Sequence, residues 1–546
     1  MALRFARPTD EHYHYPLTVG HLLDAALTTA PEQEIVYRDQ KRYTYRELRR
    51  RIGRLASMLA ELGAAEGQTI AMLDWDSHRY LEAYFAVPMM GAVLQTVNVR
   101  LSPQQIFYTL EQAEAEILLV HRDFFALIED YLPRLPRVKA VVALMDGTDE
   151  AIPPFAVGDY EDLTREADSD FAFVDFDENA IATTFHTSGT TGNPKAVLFT
   201  HRQLVLHALS NKAPFGVTRA RGFGIDDVYM PITPMFHVHA WGMPYIATML
   251  GVKQVYPGRY EPDALLDLRQ REGVTFSHCV PTILQMLLTA ADQRGERLDG
   301  WMMMVGGSSL SETLFAEARA RGLYVIAGYG MSETAPRISL TRPRTTCDAS
   351  DASLAAALTT VGVPVPLVAV RVVDDAMRDV PADGISTGEL VVRAPWLTSQ
   401  YVGDDAGSRA LWRGGWLHTQ DIVSQDQQGF LVVRDRLKDV IKSGGEWVSS
   451  VALENLIVSV EDVAEVAVIA IGDAKWGERP LAVVAPSRGM QVPRDAILAV
   501  IAAAIARGEL SRFAQVDRIE AIDALPKTSV GKIDKKQLRA RFDRSS

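Results

Sequence analysis

Two hydrophobic periods alternate along most of the chain. Leu48, Ile52, Leu55, Met58, Leu59 and Leu62 recur near helical spacing and predict an amphipathic helix over residues 45–63, after a first helix in VGHLLDAALTTAP and a strand pair around EIVYRDQKRYTY. Short apolar runs then alternate with helical segments: TIAMLDW with HRYLEAYFAVPMMGA, VLQTVN with a helix from Ser102 to near Glu114, and ILLVH with a further helix before KAVVALM. Past the strand IATTF, Thr200 and Gln203 form a capping-box pattern that opens a helix whose inward face is read as Leu204, Val205, Ala208 and Leu209. DDVYMPIT, VTFSHCV, WMMMVGG and LYVIAGYG read as strands separated by the helices GMPYIATML, PTILQMLLTAAD and LSETLFAEARARG. Such spacing predicts an α/β protein with mostly parallel sheets covered by helices.

From Thr360 the texture changes to short strands with Asp-Gly and Gly-Gly turn signals, which predicts a small antiparallel β unit. Residues beyond it predict a separate, smaller α+β domain, so the expected division is a large N-terminal domain over 1–435 and a C-terminal domain over 436–546. No internal repeat or low-complexity linker interrupts this pattern.

Composition agrees with more than one core: 546 residues, 47% hydrophobic and 23% charged, describe a soluble globular protein. A formal net charge of −13 gives no general attraction to nucleic acid or to an anionic membrane, so phosphate binding has to be local. Cys279 and Cys347 are the only cysteines, too few for a disulfide framework and without metal-site spacing. The polar first residues lack the apolar core of a signal peptide, and no run of about 18 apolar residues occurs. A cytoplasmic protein with no transmembrane segment and no nucleic-acid partner is expected; peripheral membrane association stays open.

The candidate chemistry centres on TSGTTGNPK, residues 187–195. Gly189 and Gly192 let backbone N–H groups converge on an anion, Thr187, Ser188, Thr190 and Thr191 add hydroxyl donors, and Lys195 adds a positive charge. The spacing excludes a Walker A loop, which needs four residues between its glycines and a hydroxyl residue after its lysine, where this chain has Ala196. A solvated turn has the same composition.

TSGTTGNPK resembles the phosphate-binding signature of the acyl-adenylate-forming superfamily. Further ordered matches are PMFHVHAWG, GYGMSETAP, HTQD, DRLKDVIKSGGEW and PKTSVGK, and the chain is most similar to bacterial medium- and long-chain fatty acyl-CoA synthetases. The resemblance implies ATP, Mg²⁺ and CoA as cofactors and a small-molecule carboxylic acid as substrate. It implies that residues 187–192 and Lys195 hold the leaving phosphates, that Glu333 with Thr187 holds the metal, and that Thr334 reaches the α-phosphate. Tyr329, between Gly328 and Gly330, would stack on adenine; Asp421 would accept from the ribose hydroxyls, with Arg436 as a second contact. Relatives carry Gly where this chain has Gln420, which leaves the local backbone shape in question. An exposed ion pair would equally explain Asp421 and Arg436.

By the same resemblance His237, Trp241, Gly306 and Gly307 line the acyl pocket, with Trp241 either a gate or a core residue. His237 and Trp241 share a face if the segment between them is helical. Position 237 lacks the aspartate with which amino-acid-activating relatives hold an ammonium group. Lys532 would bridge carboxylate and α-phosphate during adenylation, whereas Gly444, Gly445 and Glu446 would enter for thioester formation as the mobile C-terminal domain turns about Lys438. Lys438 also reads as a solvated charge, and the seven Lys or Arg residues from Lys527 to Arg544 read as a solvated face or as CoA contacts.

The implied activity is an acyl-CoA synthetase for a medium- or long-chain fatty acid. Open alternatives are a ligase for a small branched, aryl or methylthio-propionate acid, an adenylation enzyme loading a carrier protein, and a nucleotide-binding protein without turnover. A homodimer is compatible with the reading. The stretch from Pro526 to Lys532 also resembles the pattern recognised by protein lysine acetyltransferases, with Lys532 as the target.

Overall fold

The predicted alternation builds two sheets in a computed structural model, which describes residues 3–147, 151–187, 193–216, 222–341, 357, 360–444, 446–528 and 532–542. One sheet runs, in spatial order, Gly158–Asp159, Ala140–Leu144, Ala115–His121, Thr69–Leu73, Val93–Thr96, Ile181–Thr187 and Lys195–Thr200. All its pairings are parallel except the last, a hairpin that sets Thr187 opposite Lys195. The interior strands TIAML and AVVAL are buried at every position, as helices on both faces require.

The second sheet has nine strands, with Tyr324–Gly330, Met302–Val305, Phe276–Cys279 and Val228–Pro231 adjacent and parallel at its centre. Its margins are antiparallel: Lys41–Thr44 at one end, Arg337–Leu340 and then Val363–Pro364 at the other. The expected β unit is a four-stranded antiparallel sheet from Ala369–Val373 to Leu431–Arg436. A last, five-stranded sheet carries helices Ser450–Val458 and Arg494–Ala506 on the face of Val466 and Val468, and helix Lys535–Phe542 on the face of Ala467 and Ile469. Among the described residues no helix is long and apolar enough to cross a membrane.

Two helices depart from their aliphatic reading. In His201–Lys212, Leu204, Val205 and Ala208 are buried as expected, but Leu209 is 48% exposed and His207 and Asn211 are buried. The polar side of this helix therefore faces the nine-stranded sheet. In Tyr45–Glu61 the buried face contains Arg51, whose guanidinium donates to both oxygens of the fully buried Glu82 at 2.7 and 3.2 Å. Tyr43 and Tyr160 donate to the same carboxylate at 2.8 and 2.6 Å, and Glu161 accepts from Arg51 at 3.0 Å.

Burial opposes the Glu82 charge, but Arg51 and His78 together outweigh it and hold the carboxyl below its ordinary value. That stabilisation is present above the unfolded carboxyl value, about pH 4.3, and fades as the pH falls below it. Glu82→Ala is expected to destabilise the fold by about 3 kcal/mol, the low end for a broken buried pair because Glu161 still holds Arg51. A lowered urea midpoint at neutral pH, with a smaller difference from wild type near pH 4, checks this.

Candidate active site

Strands Met302–Val305 and Tyr324–Gly330 end at a cleft of about 880 Å³ between the large sheets and the C-terminal sheet. Clefts at the carboxyl ends of parallel strands are where α/β folds bind ligands. Close backbone approach makes its floor. A Cβ on Gly330 would stand 1.8 Å from the Pro336 carbonyl oxygen, and one on Gly306 would stand 2.7 Å from that of Gly328.

Asp421 is buried at the rim, on the strand Leu417–Gln425. Tyr329 donates its hydroxyl to one carboxylate oxygen at 2.6 Å, and Arg436 Nε approaches the other at 3.3 Å. Gln420 beside it takes φ 59°, the left-handed conformation glycine would supply. Its N–H reaches Glu389 at 3.1 Å and its carbonyl accepts from Leu437 at 2.8 Å, so the backbone shape survives the substitution.

Lys532 enters from the C-terminal sheet side. Its Cε lies 3.6 Å from where a Cβ on Gly307 would be, and its backbone is closed by reciprocal hydrogen bonds with Thr528. Burial and the neighbouring Arg436 guanidinium bring its ammonium down to about 8, against the pull of Asp421 and Glu333. Glu333 is buried, and its carboxyl is raised by that burial while the Tyr401 hydroxyl, donating at 2.6 Å, works the other way.

Lys195 is held rather than free. Its ammonium pairs with Asp404 at 2.8 Å and sits 4.5 Å from the centre of the Tyr401 ring. Tyr401 itself lies along the edge strand Lys195–Thr200, bridging Val197, and Val402 N–H donates to Ala196 at 3.0 Å.

The acyl-pocket candidates meet in an unexpected way. His237 and Trp241 both line the cleft, but Val238, His239, Ala240 and Trp241 have φ between 46° and 59°, a left-handed turn closed by Gly242. A shared face of a right-handed helix is therefore not what joins them. Left-handed backbone costs roughly 1–2 kcal/mol per residue for L-amino acids, so the surroundings must enforce it. They do: the His239 ring bonds the Thr183 hydroxyl at 2.9 Å, and the Trp241 indole lies over Gly306, 3.2 Å from a Cβ there, and tilts on His278 at 5.1 Å. His237 is lowered to about 3 by burial and then by Lys532 and Arg100, so it is a neutral imidazole at physiological pH.

The structure thus brings Thr187, His237, Trp241, Gly306, Gly307, Gly328, Tyr329, Gly330, Glu333, Asp421, Arg436, Lys438 and Lys532 to one cleft. It does not bring Thr334, which is fully buried with its hydroxyl engaged by Met331 and Pro336. Gly444 and Glu446 also lie off the cleft, Gly444 under the Phe513 ring and Glu446 accepting from Ser511. Residues 188–192 and Gly445 fall outside the described residues. Sequence reasoning missed Tyr401 and Asp404, which lie in an unremarkable YVGDD stretch; no motif marks them, and only the fold carries them to Glu333 and Lys195.

A lysine and an arginine thus stand near buried carboxylates, beside a glycine-floored slot. The chain belongs to the AMP-binding enzyme family: residues 23–402 match that family, and residues 452–532 match the AMP-binding enzyme C-terminal domain. It is 38% identical over 534 residues to a long-chain-fatty-acid–CoA ligase of Thermus thermophilus, covering 96% of each chain. It is 37% identical over 495 residues to a 3-methylmercaptopropionyl-CoA ligase of Ruegeria pomeroyi, covering 90% of each. The fold matches the crystal structure of an anthranilate CoA ligase in complex with anthranoyl-AMP with a TM-score of 0.84, at 23% identity over 97% of this chain and 98% of the other. The activity is AMP-forming acid–CoA ligation, with ATP and CoA as substrates and adenylation preceding thioester formation.

The indole over Gly306 walls one side of the cleft. Trp241→Ala is expected to change the ranking of acids by length, since each extra methylene buried in the opened space gains about 0.8 kcal/mol, roughly fourfold in kcat/KM. Specificity constants across a homologous acid series check it; a uniform drop marks Trp241 as packing alone.

Proposed function

We propose that this chain converts a medium- or long-chain carboxylic acid to its CoA thioester at one cleft visited by two faces of the C-terminal domain. The observation that carries the reading is Lys532, inserted beside Gly307 with its ammonium desolvated near Asp421 and Glu333. In the first step a carboxylate oxygen of the acid attacks the α-phosphorus of ATP and the bond to pyrophosphate breaks. Lys532 neutralises charge shared between the carboxylate and the α-phosphate, and residues 187–192 with Lys195, released from Asp404, hold the departing phosphates. Tyr329 offers its ring to adenine. Asp421 and Arg436 hold the ribose, the carboxylate having lone pairs beyond those used by Tyr329 and Arg436. Thr334 takes part only through a rotamer other than the buried one.

In the second step the C-terminal domain, residues 436–546, turns about Lys438 and brings Gly444, Gly445 and Glu446 to the cleft. The CoA sulfur then attacks the acyl carbon, the bond to AMP breaks, and the thiol proton leaves to solvent. The arrangement observed is suited to the first step alone.

Magnesium fits the donor set. The described residues contain no cluster of three or more metal-ligating side chains, but this ion takes one or two carboxylates together with substrate phosphates and waters. Tyr401 occupies one Glu333 oxygen, and Thr187 faces the same cleft. Bound there, the ion would neutralise phosphate charge.

Two relatives of nearly equal identity act on a long-chain fatty acid and on 3-methylmercaptopropionate, so identity alone does not choose the acid. The apolar wall of Trp241, Met304 and Val305 supports an acyl chain. The same reading takes the protein as cytoplasmic, allows a homodimer, and makes Lys532 a target of a protein lysine acetyltransferase, because acetylation removes the charge the first step uses.

A panel of acids assayed for pyrophosphate release with and without CoA tests the whole reading; no CoA-dependent thioester from any acid overturns it. Lys532→Ala is expected to abolish adenylation and to spare thioester formation from supplied acyl-adenylate, and equal loss of both steps would sink the two-face arrangement. In the wild type, kcat/KM for adenylation is expected to fall as the pH rises through about 8, where the Lys532 ammonium loses its proton. Thioester formation from acyl-adenylate should lack that limb.

A further inference from the structure

Arg337 opens the marginal strand Arg337–Leu340 and turns under the cleft floor, its Cδ 3.5 Å from where a Cβ on Gly328 would be. The residue is 3% exposed. Its guanidinium meets only neutral acceptors: Asn211 Oδ1 at 2.5 Å, the Asn211 carbonyl at 3.0 Å and the Met304 sulfur at 2.7 Å, with the Phe215 ring 5.1 Å away. Two of its five N–H donors are left over. Among the described residues no carboxylate pairs with it, and burial lowers it to about 9, so it is charged at neutral pH. The C-terminal end of helix His201–Lys212, which supplies Asn211, offers the equivalent of about half a negative charge, short of the full unit. Unpaired buried cations are costly, and proteins place them where a charge of opposite sign arrives.

The surroundings indicate where that charge comes from. Arg337 lines the cleft together with Met304, Gly306 and Trp241, on the acyl side. Burial and then Arg337 hold the nearby His207 imidazole neutral, and Arg337 also lowers His278. Among the described residues His207 Nε2 and His278 Nδ1, both buried and outside the cleft lining, have no hydrogen-bond partner. A plain alkyl chain in the cleft would leave the guanidinium without a counter-charge. Gly307, beside Lys532, and Met304, beside Arg337, are three residues apart across the end of one strand and the turn that follows it, a span of at most about 10 Å.

We infer that Arg337 is the subsite for a second carboxylate, at the far end of the acyl chain, and that the preferred acid is an α,ω-dicarboxylic acid spanning this distance. The inference rests on the ligase reading above and narrows its substrate. Paired N–H donors of a guanidinium match a carboxylate in geometry as well as in charge.

The test compares diacids from succinate to sebacate with monocarboxylic acids of the same lengths, using the full chain with ATP and CoA. A diacid is expected to exceed its matched monoacid at least tenfold in kcat/KM at the best length. Monoacids preferred at every length would overturn the subsite while leaving the ligase reading intact; thioester from neither series would overturn both. Arg337→Met is expected to invert the preference, lowering diacids and raising monoacids. An equal fall in both series would mark Arg337 as a helix-end contact only and overturn the inference. Asn211→Asp, which places a carboxylate on Arg337 without changing size, is a second route that does not remove the buried side chain. It should lower the diacid-to-monoacid ratio at least tenfold, and an unchanged ratio overturns the assignment.

Discussion

The carboxylate of Asp421 ties three parts of the molecule together. Tyr329 brings the end of a central strand to one oxygen, and Arg436, at the last turn before the C-terminal sheet, reaches the other. The charge also bears on Lys532, which arrives from beyond that sheet. A buried carboxylate is costly unless it is paired and hydrogen-bonded, so these contacts hold the strands around the cleft in one arrangement. Arg436 also stands opposite Asp421 across the antiparallel strand pair, so both of these contacts belong to the sheets that precede Lys438, and only Lys532 comes from beyond them.

Much of the fold was legible because burial on both faces of parallel strands leaves continuous apolar runs, as in TIAML and AVVAL. The cleft residues were legible where glycine spacing reports close backbone approach, as at Gly306 and Gly330. What stayed hidden was polar burial. Arg51, His207 and Asn211 carry no sign in the sequence that a partner removes them from water, so a phase read from aliphatics alone put Leu209 inside. Asp404 and Tyr401 were invisible for a related reason: their importance comes from which strand they lie beside.

Handedness was the other blind spot. Four non-glycine residues in succession with left-handed backbone contradict every local preference, Val238 most of all as a β-branched residue. Only tertiary contacts hold them, through His239 on Thr183 and Trp241 on Gly306. This wall of the cleft is thereby set by the two large sheets jointly, since Thr183 belongs to one and Gly306 extends a strand of the other.

The strand Lys195–Thr200 has a consequence beyond the reaction. It closes one margin of the seven-stranded sheet, and an open margin is a template on which other chains assemble. The segment at Tyr401 and Val402 covers part of it, and the same tyrosine orients Glu333 and shelters Lys195. One short stretch therefore both covers the open sheet margin and orients a carboxylate of the cleft. A substitution at Tyr401 would therefore disturb the sheet margin and the cleft at once.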